Sequence, residues 1–533
     1  MSQVKLKKVS DVDIFENQKK STLEKVKATL TSELVIGVCS PIGSLREPVI
    51  NEIKKQLTEV YHYEVEIIKL SDYIKAKVDF DILDIEKAGK TPSFIKLMEL
   101  IKGGDHLRET NGYSCLADFA ITKILEDRIE GLYEISEIPL EKVINDLKPR
   151  RKCYIIDSLK HKEELALFRS VYSSIFYLIS IFSTENERKD ALFKKDLSQT
   201  EIDEIMKEDD YGNSDHGQNV RDTFVEADFF IRMSENGKTD LDEKISRYLK
   251  IIFESEIVTP NVREIAMYEA KSAAGNSSCL SRQVGAAITD RQGEIISRGW
   301  NDVPKFGGNL YKDGQEVDNR CFHLGYCSND ITKDDVSGDI VESIFKSKDL
   351  EKVIPGFNMI KGHKEKDKAT DILRDIIRRS SKVKDLIEFS RSVHAEMHAI
   401  IVGSQLGGSK MIGGKLFCTT YPCHNCARHI IVAGIEEIYY IEPYKKSLCT
   451  ILHKDAITEN ENDTSKVKIL MYDGVAPRRF LEFFTQSGKR KGLDGRVILE
   501  EKSLKFPKSP LTLQAIPTLE MQSVHSLSDK GLL

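Results

Sequence analysis

The chain has 533 residues, 31% of them charged and 40% hydrophobic, with a formal net charge of −6 at neutral pH. At roughly 150 residues per domain that length allows several domains with large cores, and the composition excludes a fibrous or disordered chain. The negative balance argues against long nucleic acid as an electrostatically held partner.

In chain order, Met1 to Lys20 is polar and charged and reads as part of a lead-in over 1–30, with no secretory signal. Glu33 to Val38 predicts a buried strand, Cys39 to Ser44 a turn, Val49, Ile53 and Leu57 a helix, and Tyr63 to Leu70 a second strand. Helices are expected from Ser93 to about Ile129. A strand follows at Lys152 to Ile156, then a helix at Glu163 to Val171 and an apolar strand at Ile175 to Phe182. That run, the longest apolar one, is far short of the ~20 residues that cross a bilayer, so no membrane partner is expected. Asp209 to Asn219 reads as a loop, Ala227 to Ile231 as the last strand, and Leu241 to Glu254 as a closing helix. Thr259-Pro260 marks a boundary, giving a first domain over 31–257.

A second domain over 258–505 opens with a helix at Asn261 to Ala274 and a hairpin of Val284 to Thr289 and Glu294 to Trp300. Residues 302–390 are polar and read as an insertion with a helix at Ala369 to Phe389. Then follow a helix from His394, a strand at Lys415 to Thr420, a helix from Cys423, and strands at Glu437 to Ile441 and Val467 to Tyr472. Residues 506–533 read as a mobile tail.

The chemistry concentrates in His394-Ala395-Glu396 and Pro422-Cys423-His424-Asn425-Cys426. His394, Cys423 and Cys426 make the three-ligand set that leaves a fourth zinc position open for water. Glu396 lies close enough to handle protons without ligating, the arrangement of hydrolytic zinc deaminases. A closed structural site needs a fourth ligand, for which His398, His424 and His429 are candidates, but it would leave Glu396 and Pro422 unexplained. Ten cysteines, two of them in this C-x-x-C, suit a reducing, cytoplasmic setting better than a disulfide framework. Cys279, Cys321, His323 and Cys327 could form a second metal site, though their spacing is closer to that of ordinary thiols.

Ser278 to Asn301, the two zinc segments and Gly474 to Phe480 together resemble the deoxycytidylate deaminase branch of the cytidine deaminase-like superfamily. The resemblance implies a three-layer α/β/α domain, a deoxyribose contact at Asn301 and a base contact at the backbone of Ala395. The insertion departs from the family pattern and leaves the phosphate contacts unassigned.

Upstream, Gly37-Val38-Cys39-Ser40-Pro41-Ile42-Gly43-Ser44 sits between a predicted strand and a predicted helix, where a phosphate loop belongs. The G-x-x-x-x-G-K-[ST] pattern is broken, with Ile42 at the second glycine and Gly43 at the lysine. Gly37, Ser40, Gly43, Ser44, Arg46 and a Walker-B-like Asp157 are the candidate phosphate residues; an ordinary βα turn is equally open on the motif alone. Without the lysine, phosphoryl transfer is not expected. Lys69 to Asp72, Gly104 to Arg108, Ile155 to His161 and Gly217 to Phe224 are similar to the N-terminal half of bacterial anti-phage deoxycytidylate deaminases, in which a doubly wound P-loop kinase-like domain precedes the deaminase.

That resemblance spans roughly residues 31–500. It implies zinc-dependent conversion of dCTP to dUTP and dCMP to dUMP, starving an infecting phage, in a homo-oligomer subject to a nucleotide effector or an inhibitory small RNA. Two other readings stay open. One is a polynucleotide cytidine deaminase, for which Lys305, Lys346, Lys348 and Lys352 lie among too many acids to form a clear groove. The other is a nucleotide- or RNA-sensing module gating a housekeeping dCMP deaminase.

Overall fold

The computed structural model describes residues 21, 27, 29–129, 149–210, 219–234, 240–347, 363–380, 382–444, 447–486, 488–498, 501–513 and 515–533. Most of the expected lead-in and of the loop between Asp209 and Asn219 lies outside them. The chain divides into one unit of Met1–Pro260 with Asp473–Leu533 and another of Asn261–Tyr472. Among the described residues no helix is long and apolar enough to cross a membrane.

In the first unit, strands β1 (Leu34–Cys39), β2 (Glu64–Lys69), β3 (Lys152–Asp157), β4 (Phe176–Phe182) and β5 (Phe229–Arg232) form a parallel sheet in the order β5-β4-β1-β3-β2. All of β1 and β3 is buried, which is why both read as unbroken apolar runs rather than alternating ones. One face of the sheet packs Leu34, Ile36, Val38 and Tyr177 against helices Arg46–Glu59 and Leu241–Phe253. Phe176, next to Tyr177 and so pointing to the other face, stacks on Phe168 of helix Lys162–Tyr172 at 5.5 Å. The helices that follow the adjacent strands β1 and β3 therefore lie on opposite faces. A crevice opens between their carboxyl ends, the usual ligand position in open α/β sheets.

Two expectations are corrected in this unit. Gly474 to Phe480, grouped above with the deaminase half, instead completes the first sheet. Gly474–Val475 pairs antiparallel with Phe229 and Phe230 of β5. Arg478 Nη2 reaches Asp228 Oδ1 at 2.5 Å, and Phe483 stacks on Phe229 at 5.0 Å. The expected mobile tail contains helix Ile516–Asp529, which buries Ile516, Glu520, Val524 and Leu527. Its polar composition hid an apolar stripe, and Glu520 is fixed by Arg128 Nη2 at 3.0 Å and Tyr172 Oη at 2.9 Å.

In the second unit, β6 (Gly285–Thr289), β7 (Ile295–Trp300), β8 (Lys415–Thr420), β9 (Glu437–Glu442), β10 (Ile457–Thr458) and β11 (Val467–Met471) form a sheet ordered β7-β6-β8-β9-β11-β10. The β6–β7 hairpin and the β6–β8 pair are antiparallel, and the remaining pairs are parallel. Helix Val262–Ala274 starts in a capping box: Glu264 N–H donates to Asn261 Oδ1 at 2.9 Å, and Glu264 Oε2 accepts from Asn261 N–H at 2.8 Å. It covers Gly285, while helix Ala395–Gly407 covers Gly299, which pairs with the neighbouring Ala286. Adjacent residues of β6 face opposite sides, so the unit has the expected three layers. The insertion carries helices Cys321–Leu324, Ser328–Lys346 and His363–Ser380, the last ending nine residues before the Phe389 expected from sequence.

Candidate active site

Both zinc segments sit at helix starts in the second unit. His394 is the N-cap of helix Ala395–Gly407, and Cys423 is the N-cap of helix His424–Val432. As N-caps, both residues take extended backbone angles that turn their side chains across the helix end. Cys423 Sγ accepts from the Cys426 N–H at 3.4 Å, so one thiol caps the helix whose first turn carries the other.

His394 Nδ1 lies 3.3 Å from Cys423 Sγ and 3.3 Å from Cys426 Sγ, and the three atoms fall within 4.8 Å of one another. Ligand bonds of about 2.0–2.3 Å around one tetrahedral ion give separations of this order. The donor set therefore fits zinc. None of the three histidines weighed as a fourth ligand joins the cluster among the described residues. His398 accepts from the Trp300 N–H at 3.2 Å and meets Asn309 Oδ1 at 3.0 Å; His429 meets the Asn425 carbonyl at 2.7 Å; His424 faces Glu388 at 3.6 Å. The set stays at three ligands with one position open.

Glu396 is 4% exposed, and burial, reinforced by the negative Cys423, pushes its carboxyl up to about 7. A hydrogen bond from Cys426, helped by His394, pulls Cys423 down to about 4. Cys426 is raised by that same bond and by burial, while His394, although partly desolvated, is lifted to about 9 by Cys423 and Glu396. Metal binding would expel protons from the cluster.

His394, Glu396 and Cys423 border a cavity of about 290 Å³ that Asn301 and Ala395 also line. The Ala395 N–H, first in its helix, has no intrahelical acceptor. Asn301 Oδ1 accepts from the Val284 N–H at 2.7 Å, and its Nδ2 donates to the Arg282 carbonyl at 2.9 Å. It braces the loop before β6 while facing the cavity. Spacing gave no sign of Arg282, Lys333, Lys384 or Tyr421, which also line it. Two of these, Lys333 and Lys384, come from the insertion, and only the folded chain brings them to the cavity. Cys279, Cys321, His323 and Cys327 do not converge as a metal set among the described residues. His323 instead pairs with Asp318 at 3.1 Å.

Residues 260–442 match the cytidine and deoxycytidylate deaminase zinc-binding region. They form a deoxycytidylate deaminase-type domain. The chain is 29% identical over 172 residues to the deoxycytidylate deaminase of Enterobacteria phage T2, covering 32% of this chain and 74% of the phage protein. It is 45% identical over 56 residues to ComE operon protein 2 of Bacillus subtilis (strain 168), covering 10% of this chain and only 29% of that relative's length. A solved structure of the dCMP deaminase from the cyanophage S-TIM5 in complex with dCMP and dUMP aligns at 19% identity over 40% of this chain and 99% of that one, with a TM-score of 0.22. Zinc is the metal of the deaminase domain's matched region, and His394, Cys423 and Cys426 are the residues here that suit it.

The upstream loop belongs to the first unit. Ser40, Gly43, Ser44, Arg46 and Asp157 gather at the carboxyl ends of β1 and β3, the last four of them lining a cleft of about 610 Å³. Arg46 Nε pairs with Asp157 Oδ1 at 2.8 Å. Gly37 is placed differently from the expectation. It lies within β1, where a β-carbon would fall 2.5 Å from Leu159 Cδ1, so packing between strand and loop explains this glycine without a phosphate.

Proposed function

We propose that the chain is a zinc-dependent deaminase of deoxycytidine nucleotides, acting on dCMP and dCTP. The observation that carries this reading is a three-ligand cluster with no fourth protein ligand among the described residues, beside the buried Glu396 and at the wall of a cavity. Zinc held by His394, Cys423 and Cys426 supplies a Lewis acid that makes water a nucleophile near neutral pH.

Glu396 takes a proton from the attacking water and delivers it to the ring nitrogen. It then carries the second proton to the departing amine. A carbon–oxygen bond forms at C4, the carbon–nitrogen bond breaks, and ammonia leaves with uracil as product. The raised pKa of Glu396 suits a group that must both accept and return a proton. The free Ala395 N–H is the donor for the base carbonyl. Asn301, anchored twice to the backbone, presents its remaining lone pair or proton to the sugar. Arg282, Lys333 and Lys384 line the same cavity and are the cations it offers to a nucleotide's phosphates.

We assign the first unit as a degenerate P-loop kinase-like domain that senses a nucleotide. The strand order, the opposite-face helices and the loop after β1 support this. Depletion of dCTP against phage, an inhibitory small RNA and a homo-oligomeric state complete the proposal, on the resemblance of the sequence runs alone. The experiment is incubation of the purified, zinc-loaded protein with dCMP, dCTP, deoxycytidine and a cytosine oligonucleotide, followed by chromatography. Turnover of dCMP or dCTP is expected. Turnover confined to the oligonucleotide overturns the free-nucleotide reading.

A further inference from the structure

We infer that Asp209 occupies the place of a phosphate on the loop Ser40–Ser44, and that a phosphate-bearing ligand enters the first unit's cleft by displacing it. The inference rests on reading this loop as a phosphate loop and adds what fills it.

The Ile42 N–H donates to Asp209 Oδ2 at 2.6 Å, and Lys160 Nζ donates to Asp209 Oδ1 at 2.8 Å. The same ammonium donates to the Ser40 carbonyl at 2.8 Å. A buried oxyanion held by a loop amide and a lysine is the arrangement by which βα loops hold phosphate. Lys160, from the turn after β3, thus supplies the ammonium that the sequence pattern lacks at Gly43. Asp209 is 1% exposed, so its charge is neutralised by these donors rather than by water.

A further observation points to a ligand. Ser44, 8% exposed, lines the cleft with its Oγ buried and without a hydrogen-bond partner.

Asp209 lies in the last turn of a helix that packs into a satellite core. Helix Gln199–Asp210 packs through Ile202, Ile205 and Met206 into a small core with Phe94, Met98 and Leu192, separate from the main core. Gly43, at φ +82°, lies so close to the Arg188 carbonyl in the adjoining helix that a β-carbon would fall 2.7 Å from it. The loop thus touches helix Glu185–Phe193 through backbone, and the Asp209 carboxylate ties it to helix Gln199–Asp210.

The test is titration calorimetry of the full chain with inorganic phosphate, pyrophosphate and ATP, on wild type, Asp209→Asn and Asp209→Asn/Lys160→Met. Asp209→Asn keeps shape and one acceptor, and its melting temperature shows that it folds; Asp209→Ala serves if it does not. Binding of at least one probe about tenfold or more tighter in Asp209→Asn than in wild type, and lost in the double variant, is the expected result. Equal affinity in wild type and Asp209→Asn overturns the displacement while leaving the phosphate loop standing. No binding of any probe by any variant overturns the phosphate-loop reading itself. Phosphate and pyrophosphate gaining as much as ATP would show that the phosphate alone is recognised, and a gain by ATP only would assign a nucleotide.

Discussion

The α-carbon of Gly299 lies so close to Ala395 that a β-carbon there would sit 2.3 Å from the Ala395 carbonyl oxygen and 2.4 Å from the Ala399 nitrogen. Both neighbours are backbone of the helix that carries Glu396 and is capped by His394. The absence of a side chain at Gly299 thus sets how deeply this helix seats on β7.

Gly299→Ala forces that helix outward, because backbone cannot rotate out of the way. The expected result is a loss of stability of about 1–3 kcal/mol and a fall in deamination of about tenfold or more, since small displacements of catalytic groups are costly. Thermal melting and steady-state kinetics check it. Unchanged activity would mean the seat is not tight.

Glu396→Gln removes the proton carrier without touching the ligands. Zinc content by atomic absorption should stay near one per chain while turnover falls about 10²–10⁴-fold. Cys426→Ala should lose both metal and turnover. A Glu396→Gln protein that deaminates at the wild-type rate would refute the assignment.

Glu437 gives a pH-dependent contribution. Burial alone would raise its pKa, yet Lys415 at 2.8 Å, Lys468 at 2.9 Å and Tyr439 Oη at 2.8 Å overcome this and hold it at about 2. A folded pKa below the unfolded value of ~4.3 yields stability that is present above that value and lost as pH falls toward 2. Glu437→Gln should therefore cost roughly 1–2 kcal/mol at pH 7 and clearly less near pH 3, read from denaturant midpoints. A cost independent of pH would point to packing instead.

Glu520→Ala leaves Arg128 with one fewer carboxylate in a site where both side chains are almost fully buried. A loss of roughly 3–5 kcal/mol is expected, as for other broken buried pairs, and deleting residues 506–533 should be at least as damaging. If the truncated protein melts at the wild-type temperature, the helix is dispensable.

Local spacing made much of this protein readable. The C-x-x-C beside proline and the H-x-E are short-range patterns, and each sits where its helix start was expected. Unbroken apolar runs marked β1, β3 and β4 because both faces of a parallel sheet are covered. What failed was long-range. Gly474 to Phe480 looked like a continuation of its neighbours in sequence, but its partners Phe229 and Phe230 lie far upstream in the chain, in the same unit. The final helix reads as polar because Glu520 holds a core position that only Arg128 and Tyr172 make tolerable.

By itself the sequence determined the donor set: three soft or borderline ligands and a nearby carboxylate. Tertiary structure decided the rest. It brought His394 to cysteines some thirty residues away and engaged the spare histidines elsewhere. It also brought Lys333 and Lys384 to the cavity wall and put Asp209 on a loop more than 160 residues upstream. Ligand identity follows from side-chain type and local turn, whereas an unfilled coordination position or a filled phosphate loop depends on which distant groups arrive.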